Sequence, residues 1–223
     1  MISFVGNKIK NSLLATSIVL IPMWIVFIIN QGFVTQYFVD LFGIHPRSFG
    51  FSESLGIMLS WLIHGDFKHI MNNSIGLFGI LIFIGLFEQK YIKLLLVLIA
   101  TSGLSTWILG SSNSVHVGAS GLLFALFGYI LTAAFTGRKW VYFVPILAAF
   151  FYYGFSYYSG FLNGLMVKEE VSFAAHFGGL LSGMICGVSF EKRNSIPKIK
   201  KSFRERWFDF KWNLNYKLKQ LKK

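Results

Sequence analysis

Charged residues are scarce in this sequence of 223 residues, at 13% of the chain, whereas soluble domains carry about 25%. Because 54% of the residues are hydrophobic, the composition excludes an ordinary soluble globular domain. Cysteine is almost absent, and the single Cys186 excludes an internal disulfide and argues against a metal cluster. We interpret it as a small apolar residue of a membrane helix. Only four prolines and no Ser/Gly-rich linker occur, which favours a single membrane domain.

Six apolar runs are long enough, or nearly so, to cross about 30 Å of hydrocarbon as helices. They cover approximately residues 13–30, 69–87, 91–109, 118–136, 140–158 and 171–190. The first is too long for the apolar part of a signal peptide and has no small-x-small cleavage site after it, so we interpret it as a retained span. The sequence therefore predicts an all-α membrane protein built as a six-helix transmembrane bundle.

Positive charge is distributed unevenly between the two sides of the predicted bundle. If the N-terminus is cytoplasmic, eighteen of the 21 lysines and arginines are cytoplasmic, and the other three are Arg47, Lys68 and Lys168. Lysine and arginine accumulate on cytoplasmic loops, so we predict that both termini lie in the cytoplasm. The net charge of +12 is then a signal of topology and membrane-surface binding, and we expect no nucleic-acid partner.

Two segments outside the six runs also carry apolar patterns. The outer segment 31–68 contains "TQYFVDLFGI" and "ESLGIMLSWLI", each too short to span and expected to lie at the membrane surface. The basic tail has an apolar helix face made of Phe203, Trp207, Phe210, Leu214, Leu218 and Leu221. We therefore predict a membrane domain over 1–190 and a cytoplasmic tail over 191–223 that binds anionic lipid headgroups. The alternative for the tail is a solvated, frayed segment.

Polar residues at membrane depth are costly and are therefore candidates for function. The second run opens with "HGDFKHIMNNS", which contains His64, His69 and Asn73. The fourth opens with "GASG", which contains Ser120, and the sixth contains "AAHFGGLLSG" with His176. Under the predicted topology all of these residues lie at the outer ends of their helices. This convergence favours a shared site.

Each of these residues has a structural alternative when it is considered alone. A serine at a helix start is usually an N-cap, a single histidine often bonds a neighbouring carbonyl, and asparagine can join helices. Together they suggest acyl-transfer chemistry, because a serine needs a base within hydrogen-bond reach and histidine is the usual base near neutral pH. His69, Asn73 and the amide of Ser120 could then donate to the developing oxyanion.

Small residues mark a helix face on each of two runs. On the sixth run, Gly179 and Gly183 share a face with His176. The matching stripe on the fourth run is made of Gly118, Gly121, Ala125 and Gly128. Contact between the two faces would bring the backbones close together. The imidazole would then come within reach of the Ser120 hydroxyl.

The three motifs together resemble those of the rhomboid intramembrane serine proteases, and the resemblance covers about residues 10–190. Its G-x-S-G pattern is matched by Gly118, Ser120 and Gly121. Its A-H-x-x-G-x-x-x-G pattern is matched by His176, Gly179 and Gly183. Its H-x-x-x-x-H-x-x-x-N pattern is matched by His64, His69 and Asn73. The predicted plan of six spans with both ends inside is similar to the compact bacterial form of the family.

The resemblance implies a serine endopeptidase with a Ser-His dyad and no catalytic aspartate. Ser120 would be the nucleophile and His176 the general base, while His69, Asn73 and the Ser120 amide would bind the oxyanion. The implied substrates are the transmembrane segments of membrane-anchored proteins in a bacterial plasma membrane, often cut beside a small residue. No metal or other cofactor is implied.

The sequence departs from the family pattern at two positions. The family's outer loop often has a Trp-Arg pair, whereas here Arg47 follows Pro46. The family often has a tyrosine four residues after the serine, whereas here Phe124 occupies that position. A phenyl ring also stacks on an imidazole, so we predict that Phe124 supports His176. For the fifth run and the loop 159–170, only the resemblance implies a lateral gate.

Two other functions are compatible with parts of this pattern. A catalytically silent rhomboid-like protein would bind membrane helices, but such proteins generally lack the serine or the histidine. A transporter would place its polar residues near the bilayer midplane on broken helices, and they gather at one end here. His45 and His116 lie in outer loops and are interpreted as structural.

Overall fold

The computed structural model of the chain describes residues 2–33, 35–137, 140–148 and 173–195. Its α-helices are α1 (Ile2–Phe33), α2 (Thr35–Phe42), α3 (Phe51–Leu59), α4 (Phe67–Phe87), α5 (Tyr91–Leu109), α6 (Ser120–Thr136) and α7 (Phe173–Ser195). Short 3₁₀ helices form at Ser60–Leu62 and Trp140–Tyr142, and residues 143–148 are helical. The all-α class predicted from the sequence is therefore confirmed for the described residues.

Within the described residues, four helices are long and apolar enough to cross a membrane: Val5–Asn30, Phe67–Phe87, Tyr91–Leu109 and Phe173–Phe190. The apolar α6 is shorter, at 17 residues. These helices match five of the six predicted runs and give a multi-pass helical membrane bundle. The fifth run, 140–158, is described only as far as residue 148, so the count of six spans stays a prediction.

The first helix begins earlier than the sequence pattern predicts. The predicted span starts at residue 13, whereas α1 starts at Ile2 and also continues through Pro22. Lysines do not stop a helix at the membrane boundary, because their long apolar stems let the charged ends reach polar or aromatic partners. The ammonium of Lys8 lies 5.3 Å from the ring centre of Phe87 at the end of α4, which is a cation–π distance.

The internal contacts divide the chain into two units, Met1–Lys192 and Arg193–Lys223. Helix α7 continues to Ser195, five residues beyond the predicted end of the sixth run. The amphipathic helix predicted for the tail lies outside the described residues, beyond residue 195. Its binding to anionic lipid stays a prediction.

Helix α6 occupies the interior of the first unit. Twelve of its 17 residues are buried, among them Leu126, Tyr129 and Ile130. A helix that is apolar on all sides is stable only when other elements surround it, and α6 contacts both α4 and α5. The first residue of this central helix is Ser120, so the buried scaffold of the bundle holds the candidate nucleophile.

Helix α7 packs against α6 through glycine. A Cβ atom added at Gly179 would overlap the carbonyl of Gly121, and one added at Gly183 would overlap the carbonyl of Ala125. Between the two, a Cβ at Gly128 would overlap the carbonyl of Leu180. The close contact predicted from the two small-residue faces is therefore present, and it leaves no room for larger residues at these positions.

The loop between α2 and α3 is bonded to the loop that precedes α6. Ile44 and His116 form an antiparallel β-bridge, with N···O distances of 2.9 and 3.0 Å. Arg47, at a φ of 59°, donates to the carbonyl of Ile108 at 3.2 Å and to the hydroxyl of Ser112. The arginine of the incomplete Trp-Arg pair thus fastens the two loops together.

A tryptophan from another element lies in this region. The indole Nε1 of Trp107 on α5 donates to the carbonyl of Ser48 at 2.9 Å, one residue after Arg47. Its ring also meets that of Phe49 edge to face, with 5.1 Å between the ring centres. The loop therefore has a tryptophan contact although its own sequence lacks the tryptophan of the family pair.

Candidate active site

Ser120 is the first residue of α6, and Ala119 occupies the N-cap position with no side-chain cap bond. The structural alternative of an N-cap serine is therefore wrong for this residue. Ser120 is partly exposed, while the residues that follow it, from Gly121 to Leu126, are buried. The start of α6 thus presents one serine at the edge of the core.

A left-handed turn at Gly118 shapes the backbone before the serine. Its φ is +106°, a conformation that residues with a Cβ rarely adopt, and its N–H donates to the carbonyl of Ser60 at 2.9 Å. A Cβ added here would lie 2.6 Å from the Nε2 of His69 and 3.7 Å from the Nδ2 of Asn73. The loop backbone therefore lies directly against both candidate oxyanion donors.

The start of α4 positions these two donors. Asp66 is the N-cap of α4, and its carboxyl oxygen accepts the backbone N–H of His69 at 2.8 Å, an arrangement that stabilises a helix start. Asn73 is one turn later on the same face and is buried, at 4% exposure. The helix start and the i, i+4 spacing together bring the two side chains to one place.

His64 lies before α4 and is completely buried. Its Nε2 is 2.9 Å from the Nδ2 of Asn73 and 3.3 Å from the backbone nitrogen of Ala119. Its Nδ1 is 3.3 Å from the carbonyl oxygen of Leu62, and its ring meets that of His69 edge to face at 4.9 Å. Burial, with a smaller effect from His69, lowers the pKa of His64 to about 3.

His176 lies near the start of α7 and is 7% exposed. Its imidazole stacks on the ring of Phe124, with 4.2 Å between ring centres and 17° between planes, as the sequence predicts for the phenylalanine. Phe124 is four residues after Ser120, which places both on one face of α6. The imidazole is thus held over the face of α6 that begins with Ser120.

A small cavity adjoins the turn at Gly118. It has a volume of about 20 Å³, room for about one water molecule. Polar groups in its wall come from Ser60, Ser102, Thr106 and His116. The cavity therefore supplies a polar space beside the start of α6.

The sequence pattern predicts the Ser120 amide as a donor, but it gives His64 no partner and does not indicate the backbone groups that His64 contacts. The contacts of His64 with the nitrogen of Ala119 and the carbonyl of Leu62 involve atoms that every residue has, so no pattern of residue types reveals them. The other loop histidines make local bonds: His45 with the carbonyl of Asp40, and His116 with the hydroxyl of Ser114. Among the described residues, no group of three or more His, Cys, Asp or Glu side chains is arranged to hold a metal ion.

The family model described as "Rhomboid domain" matches residues 52–193. The chain belongs to the rhomboid family. Similar curated proteins include an uncharacterized protein of Mycobacterium bovis and uncharacterized proteins of two Mycobacterium tuberculosis strains. Each is 30% identical over 171 residues, which cover 73% of this chain and 67% of the relative.

The rhomboid match confirms the family resemblance that the three sequence motifs predict. All of the candidate site residues, from His64 to Gly183, lie inside the matched range, whereas α1 and α2 precede it. The part of this rhomboid protein that the family model covers is therefore the part in which the structure brings Gly118 against His69, and α7 against α6.

Proposed function

We propose that this rhomboid protein is an intramembrane serine endopeptidase with a Ser120–His176 dyad. The observation that supports the proposal most directly is the stacking of His176 on Phe124 at 4.2 Å, one helical turn after Ser120. The backbone contact between α6 and α7 at Gly179 holds this arrangement from the other side. Nucleophilic catalysis by a serine needs a base beside it, and the stacking places the imidazole over the helix face that Ser120 begins.

In the first step, the Oγ of Ser120 attacks the carbonyl carbon of the scissile peptide bond while His176 takes the hydroxyl proton. The tetrahedral intermediate then collapses as His176 returns that proton to the leaving amine, which leaves an acyl-enzyme. In the second step a water gives its proton to His176 and attacks the ester. His176 then returns that proton to the Oγ of Ser120 as the acid product leaves, so atoms and protons balance without a cofactor.

The developing oxyanion is bound by His69, Asn73 and the backbone N–H of Ser120. The support for this assignment is the position of both side chains against Gly118, two residues before the nucleophile. Donors fixed in place before the reaction stabilise the charge without reorganisation. The turn at Gly118 therefore serves to bring the peptide backbone and the two side chains to one pocket.

The substrates of this rhomboid protein are membrane-anchored proteins cut in or near a transmembrane segment, beside a small residue. Residues that destabilise a helix would favour cleavage, because the peptide bonds of an intact helix are shielded by its own hydrogen bonds. Water enters from the outer face by way of the polar sequence "GSSNSVH". The bundle has six spans with both termini in the cytoplasm and lies in the plasma membrane of a bacterium.

Labelling with a fluorophosphonate probe tests the proposal on the purified full chain in detergent. We expect labelling of the unaltered protein and none of Ser120→Ala or His176→Ala, while both variants keep the thermal unfolding midpoint. Matched controls are Ser189→Ala, an exposed serine on α7, and His45→Ala in an outer loop, and both should label normally. Cleavage of a reconstituted transmembrane substrate should follow the same pattern, with a loss of about 10⁴-fold or more for either dyad variant.

Full labelling and cleavage by Ser120→Ala would overturn the dyad. A chain that folds, binds transmembrane helices and neither labels nor cleaves would instead be the catalytically silent form.

A further inference from the structure

His64 contacts three parts of the candidate oxyanion pocket although it belongs to none of them. Its Nε2 lies within hydrogen-bond distance of the side-chain nitrogen of Asn73 on α4 and of the backbone nitrogen of Ala119 before α6. Its ring meets the His69 ring edge to face. His64 therefore contacts a helix, a loop and a second histidine, and its side chain is fully buried among them.

The partners of His64 determine where its proton lies. The carbonyl oxygen of Leu62 can only accept, so the Nδ1 at 3.3 Å from it carries the hydrogen. The Nε2 of a neutral ring is then an acceptor, and both groups that face it are N–H donors. The ring is therefore satisfied on both nitrogens in a single tautomer.

We propose that His64 is the positioning residue of the oxyanion pocket: its Nε2 accepts one N–H of the Asn73 amide and the N–H of Ala119, and so fixes the donors of α4 against those of the 118–120 backbone. The inference rests on the proposed function and deepens it. One hydrogen of the Asn73 amide is used by His64, which leaves the second to donate to the substrate oxygen. The backbone N–H of Ala119, one residue before the Ser120 amide, donates to the same Nε2 of His64.

The burial of His64 is consistent with this role. Burial lowers the pKa of His64 to about 3, so the ring is neutral at neutral pH. A protonated Nε2 would become a donor and would repel both N–H groups. Neutral His64 is thus a constant acceptor and does not titrate with the dyad.

Two variants separate the acceptor from the bulk of the ring. In His64→Gln the amide oxygen can take the place of Nε2 and accept both N–H groups, whereas His64→Leu keeps an apolar side chain without an acceptor. With a transmembrane substrate in proteoliposomes, we expect kcat of His64→Leu to fall by about 10²-fold, close to the loss of one oxyanion donor, with KM little changed. His64→Gln should recover most of kcat.

A double-mutant cycle with Asn73→Ala tests whether His64 acts through Asn73. If it does, the loss in the double variant His64→Leu/Asn73→Ala is far smaller than the product of the two single losses, because coupled residues are not additive. If the loss of kcat in the double variant equals the product of the two single losses, the proposal is overturned. It is also overturned if His64→Gln and His64→Leu lose the same fraction of kcat at an unchanged unfolding midpoint. If His64→Leu does not fold, the proposal is tested by the kcat of His64→Gln relative to the unaltered protein and by the imidazole ¹⁵N spectrum.

A spectroscopic measurement tests the geometry even if the protein cleaves nothing. The imidazole ¹⁵N spectrum of the full chain, assigned by comparison with His64→Gln, should show a hydrogen on Nδ1 and a bare Nε2 for His64. A hydrogen on Nε2 would overturn the inference whatever the cleavage result. Conversely, cleavage that depends on Ser120 but is untouched in His64→Leu would overturn this inference and leave the proposed function intact.

Discussion

The two ends of α4 both carry buried polar groups, but they are bonded in different ways. At its N-terminal end, Asn73 bonds to His64 and lies beside the turn at Gly118, so that donors gather around a pocket. At its C-terminal end, the hydroxyl of Tyr142 donates to the buried carboxyl group of Glu88 at 2.5 Å. That bond joins the end of α4 to the 3₁₀ helix Trp140–Tyr142.

The difference shows what buried polar groups do in an apolar bundle. A polar group in such surroundings costs free energy unless it is hydrogen-bonded, and both ends meet this requirement. At the Glu88 end the bond holds two elements together. At the His64 end the same requirement is met beside the start of α6, where the proposed oxyanion pocket lies. We therefore expect substitutions at the two ends to affect different measurements.

Of the substitutions that compare the two ends of α4, Gly118→Ala at the N-terminal end is expected to have the largest effect. The new Cβ would lie 2.6 Å from the His69 ring, and the φ of +106° would be strained by about 1–3 kcal/mol. We expect cleavage to fall by about 10³-fold, because His69 must move away from the pocket. The measurement is the cleavage rate per folded molecule.

Gly79→Ala on α4 is the matched control for Gly118→Ala, since a Cβ there meets no atom within 4 Å. It should keep full activity. If Gly118→Ala cleaves as fast as this control, the pocket beside Gly118 is not the oxyanion site. The two ends of α4 would then differ in their hydrogen bonds but not in function.

The second effect compares two glycines on the same face of α7. Gly179→Ala would push against the backbone of Gly121 next to the site, whereas Gly187→Ala would press on the Thr132 side chain two turns further along. A shift of about 1 Å at a reacting group costs about 10²-fold in rate. We expect that loss for Gly179→Ala and a much smaller one for Gly187→Ala.

Unfolding midpoints measured on the same two samples serve as the control, and both should fall. Equal losses of activity in the two variants would mean that the α6–α7 contact supports only the stability of the bundle, and that the position of His176 does not depend on the glycine nearest to it.

A third substitution tests the C-terminal end of α4. Tyr142→Phe removes the hydroxyl that donates to the buried carboxyl group of Glu88 and so weakens the link between α4 and the 3₁₀ helix. We expect the free energy of unfolding to fall by about 1–3 kcal/mol, with the cleavage rate per folded molecule unchanged. Tyr37→Phe, at an exposed tyrosine on α2, should change neither. A loss of activity without a loss of stability in Tyr142→Phe would remove the distinction between the two ends.

Features that depend on residue type and spacing were predictable from the sequence. The apolar runs predicted the long helices because a helix satisfies its backbone hydrogen bonds within one segment, as hydrocarbon requires. The spacing of Gly179 and Gly183 predicted the close approach to α6, and the i, i+4 spacing of His69 and Asn73 predicted their common face. The polarity of Ser120 and His176 at membrane depth marked them as candidates, and the family resemblance implied a role for each.

Features that depend on backbone atoms and on contacts between loops were not predictable. The positive φ of Gly118 is a property of a single backbone position. The bridge between Ile44 and His116 and the bond from Ala119 to His64 join segments far apart in the chain. The early start of α1 was missed because a hydropathy pattern treats Lys8 as a boundary, whereas its flexible stem lets the helix continue. The contrast between the two ends of α4 comes almost wholly from such contacts.

The last effect is an acid dependence of stability at the N-terminal end of α4, which is absent at neutral pH. The pKa of His64 is about 3 in the folded chain against 6.5 for an unperturbed histidine, because burial disfavours the charged ring. Between these pH values the unfolded chain binds a proton that the folded chain does not. The free energy of unfolding is therefore unaffected by His64 above pH 6.5. Below that pH it falls by up to about 1.4 kcal/mol for each pH unit.

Unfolding midpoints in detergent between pH 7 and pH 4 should accordingly fall less steeply in His64→Gln than in the unaltered protein, whereas His45→Gln in the outer loop should leave the slope unchanged. Parallel slopes in all three proteins would show that His64 is not held neutral by the fold, and a fixed acceptor at this end of α4 would then no longer distinguish it from the end at Glu88.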